Sequence, residues 1–183
     1  MAQSRPVRVS KFLAKHLRHD PGAIGLRLDK QGWARVDELL RCAARAGFPI
    51  TKAELDDAVA EPVKRRYSYS ENGQKVRAVQ GHSVPVDLRY EPKTPPAVLY
   101  HGTHPGALSD IFRDGLAAMS RRHVHLSADV ETARKVGARR GKPIILTVHA
   151  AQLATDGGIF YQADNGVWLT DQVPAEYLQL AEQ

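Results

Sequence analysis

The spacing of apolar side chains predicts three helices in the N-terminal part of the chain. The first begins with Ser10 as its N-cap and carries four side chains at helical spacing: Phe12, Leu13, His16 and Leu17. It ends at Asp20-Pro21-Gly22, because proline lacks an amide donor and glycine accepts a left-handed turn. The second follows Gln31-Gly32-Trp33, ends near Gly47 and again shows helical spacing: Val36, Leu39, Leu40 and Ala43. Thr51 and Glu54 have the spacing of a capping box, which predicts a third, short helix.

A β-hairpin is predicted directly after these helices. Tyr67-Ser68-Tyr69-Ser70 and residues 75–79 are β-prone runs, and Glu71-Asn72-Gly73-Gln74 joins them. An Asn-Gly pair between two such runs is a strong hairpin signal. Three helices followed by a hairpin predict a winged-helix lobe, a scaffold used both by nucleic-acid-binding proteins and by plain packing domains.

The pattern changes after a proline-rich stretch at residues 90–96, which is predicted to be a linker because its three prolines disfavour helix and central strand alike. Strands and helices then alternate: strand 97–100, helix 105–113 ending at Gly115, strand 123–126, helix 128–138, strand 143–149 and a last strand 167–169. We therefore expect an α+β protein with one domain at residues 1–90 and a second at residues 97–183.

Composition narrows the class of protein. The chain has 183 residues, of which 43% are hydrophobic, as in an ordinary soluble globular protein. The sequence shows no apolar run of membrane-spanning length and no apolar signal core, so a cytoplasmic protein is expected. The single cysteine, Cys42, excludes an internal disulfide framework, and its place on an apolar helix face predicts a core residue.

The net charge of +6 is concentrated in the first half of the chain. Residues 1–100 hold 18 Lys and Arg against 11 Asp and Glu, whereas residues 101–183 hold 8 against 9. A basic half beside a near-neutral half fits a polyanion-binding module joined to a different functional unit. Charge alone is equally compatible with a solvated basic surface that has no partner.

Two segments place arginine beside histidine: Arg18-His19 and Met119-Ser120-Arg121-Arg122-His123-Val124-His125-Leu126-Ser127. The guanidinium group stays charged and donates two parallel hydrogen bonds to a phosphate. Histidine adds a group that changes protonation near neutral pH. The two segments predict one anion site built from two lobes.

Other common chemistries lack support in the sequence. There is no Walker loop and no glycine-rich Rossmann fingerprint. Asp129 and Glu131 are predicted to open a helix, where they complement its dipole, so a glycosidase-like acid pair is not supported. No metal is expected, because no second cluster of Cys, His or carboxylates accompanies the histidines. His101-Gly102-Thr103 lies between a strand and a helix and is compatible with a simple turn or with close approach to a ligand.

As an ordered set over residues 9–180, these features resemble the NAD-dependent RNA 2′-phosphotransferases, also called tRNA 2′-phosphotransferases. The motifs are Ser10-Lys11-Phe12-Leu13, Leu17-Arg18-His19, Gly32-Trp33, Lys64-Arg65-Arg66-Tyr67, Arg77-Ala78-Val79-Gln80-Gly81-His82-Ser83, Leu99-Tyr100-His101-Gly102-Thr103, the Met119 to Ser127 segment above, and Gly166-Val167-Trp168-Leu169-Thr170.

The resemblance implies a winged-helix lobe and an ADP-ribosyltransferase-like lobe that holds NAD. It also implies a two-step reaction. The internal 2′-phosphate of an RNA attacks the nicotinamide ribose of NAD and expels nicotinamide, and a ribose hydroxyl then attacks that phosphate. The products are RNA with a 2′-hydroxyl and ADP-ribose 1″,2″-cyclic phosphate. The implied partners are NAD and an RNA with an internal 2′-phosphate, as in tRNA splicing, and a monomer is expected.

The family's catalytic set falls on Arg18, His19, Arg66 and Arg121. Arg65 precedes Arg66, and a slip by one residue along a strand would turn the side chain to the other face. Arg66 is preferred because it directly precedes the aromatic Tyr67.

For NAD, the resemblance points to His101, Gly102 and Thr103 and to His125, Leu126 and Ser127. It implies that His101 binds the adenosine-side ribose and that the Gly102 backbone orients the nicotinamide amide. Residues 80–83 are expected to border the same cleft. An alternative from the same fold is an ADP-ribosyltransferase that caps terminal phosphates of nucleic acid. A nucleic-acid-binding protein without activity is disfavoured, because the motifs of the second lobe are intact.

Overall fold

A computed structural model of the chain describes residues 3–62, 65–138 and 141–181, and it mixes helices with β-strands as the sequence predicts. Lys64, part of one of the motifs above, lies outside the described residues. The chain divides into two compact units, unit 1 up to Arg89 and unit 2 from Tyr90. Within the described ranges, every helix is too short or too polar to cross a membrane.

Unit 1 begins with helix α1 at Arg5–Arg18, which starts five residues earlier than its predicted cap at Ser10. Ser4 is the N-cap residue and has extended backbone, and Pro6 occupies the first turn, where its missing amide donor costs nothing. The prediction for Ser10 was therefore wrong. Ser10 lies inside α1, where its side chain and carbonyl bind partners from elsewhere in unit 1.

The two following helices confirm their sequence signals. Helix α2 covers Val36–Arg45 and helix α3 covers Lys52–Ala60. The capping box of α3 is complete: Thr51 Oγ1 accepts from the Glu54 amide at 3.2 Å, and the Thr51 amide donates to Glu54 Oε2 at 2.9 Å. Cys42 is buried on α2, as predicted.

A three-stranded antiparallel sheet completes unit 1. Its strands are β1 at Ala34–Arg35, β2 at Tyr67–Tyr69 and β3 at Lys75–Ala78, in the order β1-β3-β2. The predicted hairpin is β2 and β3, with Gly73 in the left-handed region at φ 68°. The sheet and the helices enclose one core, which includes Val9, Leu13, Leu17, Leu39, Leu55 and Val76.

Unit 2 is built from short strands and short helices. In chain order they are β4 Leu99–Thr103, α4 Leu108–Asp114, β5 Leu116–Ala117, β6 Val124–Leu126, α5 Val130–Gly137, β7 Ile144–Val148, α6 Ala150–Thr155, β8 Phe160–Gln162, β9 Trp168–Thr170, β10 Gln172–Val173 and β11 Leu178–Leu180. All pairings between these strands are antiparallel, in sheets ordered β11-β7-β4, β6-β9-β8 and β10-β5. The buried core includes Leu99, Leu126, Val148, Phe160 and Trp168.

Several predictions for unit 2 needed correction. The strand predicted at 167–169 is β9, but it is not the last strand, because β10 and β11 follow it. The proline-rich stretch packs into unit 2: Pro92 pairs with Tyr161, and the Lys93 amide donates to the Phe160 carbonyl at 2.8 Å.

Candidate functional site

Arg18 is the last residue of α1, and its backbone is held by the segment that follows β3. The amides of Ser83 and Val84 donate to the Arg18 carbonyl at 2.9 and 3.2 Å. Its Nη2 donates to the Arg66 carbonyl at 3.4 Å, and its guanidinium carbon lies 5.9 Å from the centre of the Tyr67 ring. A cation anchored at this many points is a preorganised donor for an anion.

Arg66 is the arginine that the fold brings to Arg18. Its Nη1 donates to Ser10 Oγ at 3.3 Å, and the Tyr67 hydroxyl below it donates to the Ser10 carbonyl at 2.6 Å. Arg65 is exposed and has a left-handed backbone with φ 33°. Of the two arginines, Arg66 has a described side-chain contact with α1, and its assignment to the catalytic set stays a prediction.

His19 follows Arg18 at the C-cap of α1 and is exposed. Its Nδ1 lies 2.9 Å from Ser83 Oγ, a contact that orients the ring. Arg18, His19 and Arg66 therefore form one cluster in unit 1, which we call the arginine cluster. Its charges suit a phosphate dianion.

Three residues beside this cluster carry buried polar atoms whose surroundings the sequence does not show. His82 is buried, and neither ring nitrogen makes a hydrogen bond within the described residues; the same holds for Arg77 Nε and Ser68 Oγ. Burial, then the charges of Arg18, His19 and Arg77, lower the pKa of His82 to about 4, against a smaller opposing effect of the Leu17 carbonyl. His82 is therefore neutral at pH 7 and adds no charge beside the arginine cluster.

The predicted NAD segments of unit 2 are neighbours in space. The amide of Tyr100 donates to the Ser127 carbonyl at 2.9 Å, and the Ser127 amide donates back at 2.8 Å. This bridge places the end of β6 beside β4, so the two predicted sets come together: His101, Gly102 and Thr103 with His125, Leu126 and Ser127. Their side chains differ in burial: Leu126 and Thr103 are buried, whereas His101, His125 and Ser127 are half-buried.

His101 has a defined tautomer. Its Nδ1 lies 3.2 Å from the His125 carbonyl, which can only accept, so Nδ1 carries the proton. Burial lowers the pKa of His101, against a smaller opposing effect of that carbonyl. The ring is therefore neutral at pH 7, and its Nε2 is an acceptor that suits a hydroxyl group.

Gly102 meets a helix on one side and presents its backbone at an open edge of the sheet. A Cβ on Gly102 would lie 1.8 Å from the Ala133 carbonyl oxygen of α5, so only glycine fits. The Ile145 carbonyl opposite accepts from Ala181 on the far side of β7, so Gly102 and Ile145 form a pair without hydrogen bonds to each other. The amide and carbonyl of Gly102 consequently point away from β7, toward the same edge as those of Tyr100.

Arg121 is tied to the same region of unit 2. Its Nη1 donates to His125 Nδ1 at 2.9 Å, and its amide donates to the Ala118 carbonyl at 3.0 Å. Because a guanidinium can only donate, His125 Nδ1 is an acceptor and its ring is neutral. The predicted catalytic set thus divides into the arginine cluster of unit 1 and Arg121 of unit 2. Across residues 3–62, 65–138 and 141–181, no three His, Cys, Asp or Glu side chains group as a metal site would require.

Comparison with known proteins gives one consistent family. The profile of the RNA 2′-phosphotransferase, Tpt1 / KptA family matches residues 4–172. A probable RNA 2′-phosphotransferase from Nostoc punctiforme is 52% identical, covering 98% of this chain and 99% of its own. One from Streptomyces coelicolor is 52% identical over 98% and 97%, and one from Escherichia coli is 54% identical over 93% of both chains. The chain therefore belongs to the RNA 2′-phosphotransferase family.

Proposed function

We propose that this transferase uses NAD as the acceptor of an internal RNA 2′-phosphate. In the first step a 2′-phosphate oxygen bonds to the anomeric carbon of the nicotinamide ribose, and nicotinamide leaves with the electrons of the broken glycosidic bond. In the second step the adjacent ribose hydroxyl bonds to phosphorus and loses its proton, while the RNA 2′-oxygen leaves and gains one. The products are RNA with a free 2′-hydroxyl and ADP-ribose 1″,2″-cyclic phosphate.

Unit 1, a winged-helix-type lobe in this proposal, binds the phosphate through the arginine cluster. The nucleophile carries two negative charges, and the second step spreads charge over the equatorial oxygens of phosphorus. The Arg66 guanidinium is already held by Ser10 and that of Arg18 by the Arg66 carbonyl, so both stabilise that charge without reorganising. His19 adds a ring nitrogen within reach of the same anion.

Unit 2, an ADP-ribosyltransferase-like lobe in this proposal, holds NAD at the edge shared by β4 and β6. His101 Nε2 accepts a hydrogen bond from the hydroxyl of the adenosine-side ribose. The outward amide and carbonyl of Gly102 have the complementary pair of groups for a carboxamide, which itself carries a donor and an acceptor. These residues suit NAD because His101 supplies a neutral acceptor and the Gly102 backbone supplies a donor and an acceptor that are not used by β7.

The observation that carries the proposal is the hydrogen bond between Arg121 and His125. It ties Arg121, the guanidinium proposed to bind phosphate, to His125, one of the residues proposed to hold NAD, and this supports a single site in unit 2 for both. An enzyme that transferred ADP-ribose and stopped would have less need for both sets of arginines.

Nicotinamide release tests this function. The protein is incubated with NAD and one of three RNAs of the same sequence: one with an internal 2′-phosphate, one with only a terminal 5′-phosphate, and one with neither. We expect release with the first RNA and loss of its 2′-phosphate. Release with the 5′-phosphate RNA alone, leaving ADP-ribose on its end, would favour the capping transferase, and no release with any RNA would leave only a binding protein.

A further inference from the structure

The outer face of α1 carries a continuous row of cations that ends at the arginine cluster. Its members are spaced three, four and three residues apart: Arg8, Lys11, Lys15 and Arg18. At 3.6 residues per turn they fall within an arc of roughly 80° and span about 15 Å along the helix. The arc lies opposite the buried face of Val9, Leu13 and Leu17. We call these four residues the α1 row.

The cations of the α1 row differ from several other cations of unit 1, which form ion pairs with carboxylates. Arg5 pairs with Glu54 at 2.7 Å, and Arg35 pairs with Asp37 and Lys75 with Asp29 at 3.0 Å. Arg8, Lys11 and Lys15 are exposed and have no carboxylate within ion-pair distance among the described residues. The row therefore presents uncompensated positive charge to the surroundings.

Helix stability does not account for this arrangement. The partial negative charge at a helix C-terminus favours cations in the last turn, which covers Lys15 and Arg18. Arg8 lies near the N-terminus, where the dipole disfavours a cation, and α1 contains no acidic residue that would compensate it. The Arg8 guanidinium lies 5.4 Å from the centre of the Phe48 ring, a cation–π contact that brings no carboxylate to it.

We propose that the α1 row is a track for the backbone of the single-stranded RNA that flanks the 2′-phosphate. This inference rests on the proposed function, which places the 2′-phosphate at Arg18. The neighbouring phosphates then lie along the helix, one beside Lys15 and further ones toward Lys11 and Arg8. The track contributes affinity and register without reading bases, as phosphate contacts do in general.

Salt dependence of RNA binding distinguishes the track from a diffuse basic surface. The probe is a fluorescent single-stranded RNA of roughly 12 nucleotides with one internal 2′-phosphate, bound in the absence of NAD. The test variant combines Arg8→Gln, Lys11→Gln and Lys15→Gln. The control combines Arg35→Gln, Arg41→Gln and Arg45→Gln, which removes the same charge from exposed positions on β1 and α2.

For the test variant, the slope of log affinity against log salt becomes shallower by about 2, since each lost phosphate contact in a single strand removes about 0.7. Affinity at low salt falls at least about tenfold, and the control changes both quantities much less. Equal effects of the two triple variants would overturn the track. If the test variant melts at lower temperature, the single change Lys15→Gln, with an expected slope change of about 0.7, replaces it.

Turnover with NAD separates failure of the track from failure of the proposed function. A wild-type protein that binds the RNA but never removes its 2′-phosphate would refute the proposed function, while the salt slopes would still decide the track. With turnover intact, the test variant should raise KM for RNA and leave KM for NAD unchanged. Lengthening the RNA beyond the 2′-phosphate should lower KM in the wild type and in the control, but not in the test variant.

Discussion

Nη1 of Arg121 donates a hydrogen bond to Nδ1 of His125 at 2.9 Å, so a permanent cation of unit 2 is bound to a neutral histidine. The contact fixes two roles at once: it orients the guanidinium, and it sets the tautomer of the ring, whose proton must lie on Nε2. Neither role is visible in the sequence, where the two residues are merely four positions apart.

Arg121→Ala should slow the second step more than the first. Expelling nicotinamide mainly requires placement of NAD, whereas the second step develops extra negative charge on phosphorus that Arg121 is proposed to stabilise. Loss of one such donor typically costs about 10²–10³-fold in rate. Rapid-quench analysis should show RNA that carries ADP-ribose accumulating before the 2′-hydroxyl product forms. Arg121→Lys keeps the charge but not the planar fork, and should be intermediate.

Parallel slowing of nicotinamide release and phosphate loss in Arg121→Ala, with no build-up of that RNA, would contradict the separate role in the second step.

His101→Ala should weaken NAD binding with little effect on the RNA. The change removes the Nε2 acceptor and the anchor to the His125 carbonyl, and one hydrogen bond contributes about 0.5–1.5 kcal/mol. KM for NAD should rise about tenfold, while KM for RNA stays close to the wild-type value. Thermal stabilisation by NAD should shrink accordingly at equal NAD concentration. An unchanged response to NAD would remove His101 from the proposed NAD site.

Gly102→Ala should destabilise the protein through packing alone. The new methyl group would lie 1.8 Å from the Ala133 carbonyl oxygen, so β4 or α5 has to move. Overpacking of this kind typically costs about 1–3 kcal/mol or more. Gly22→Ala is a matched control, since nothing lies within 4 Å of a Cβ at that position. Thermal melting should show a large loss for the first variant and little for the second, and equal melting temperatures would refute the close approach.

The free energy of unfolding should fall as the solution becomes acidic, because His82 is buried in its neutral form. Its pKa in the folded protein is about 4, below the ordinary histidine value of 6.5 that applies to the unfolded chain. The unfolded chain therefore binds more protons between these values, and unfolding becomes easier as pH falls from about 6.5 to about 4. The loss amounts to roughly 3 kcal/mol at most.

His82→Leu tests this assignment, because it removes the titrating group and keeps the site filled. Chemical unfolding at several pH values should show a shallower loss of stability between pH 6.5 and 4 than in the wild type. The same slope in both proteins would mean that other groups cause the acid sensitivity.

Local signals in the sequence predicted unit 1 well. The capping box at Thr51, the Asn-Gly turn and the helical spacing of α2 each rest on nearest neighbours, so the final fold does not alter them. The prediction that Ser10 caps α1 was wrong because serine is also tolerated inside a helix. The proline in the first turn, Pro6, marks the true start of α1. In unit 2, strands of two or three residues such as β5 and β10 are too short to show any alternation.

The members of the candidate site are predictions from the resemblance, whereas their geometry comes from the structure. The resemblance pointed to Arg18, Arg66 and Arg121, and the structure adds the left-handed backbone of Arg65 and the contact of Arg66 with Ser10. His82 shows its unusual environment only when tertiary packing closes around it. Gly102 suggested ligand approach, whereas the structure adds a packing constraint from α5.

Mass spectrometry of the products is the most direct test of whether NAD accepts the 2′-phosphate of the RNA. A short RNA with one internal 2′-phosphate is incubated with the protein, with and without NAD, and both the RNA and the small-molecule fraction are weighed. We expect the RNA to lose its phosphate only when NAD is present, and ADP-ribose 1″,2″-cyclic phosphate to appear in equal amount. Phosphate loss without NAD, or RNA that gains ADP-ribose and keeps it, would show that NAD is not the acceptor of the 2′-phosphate.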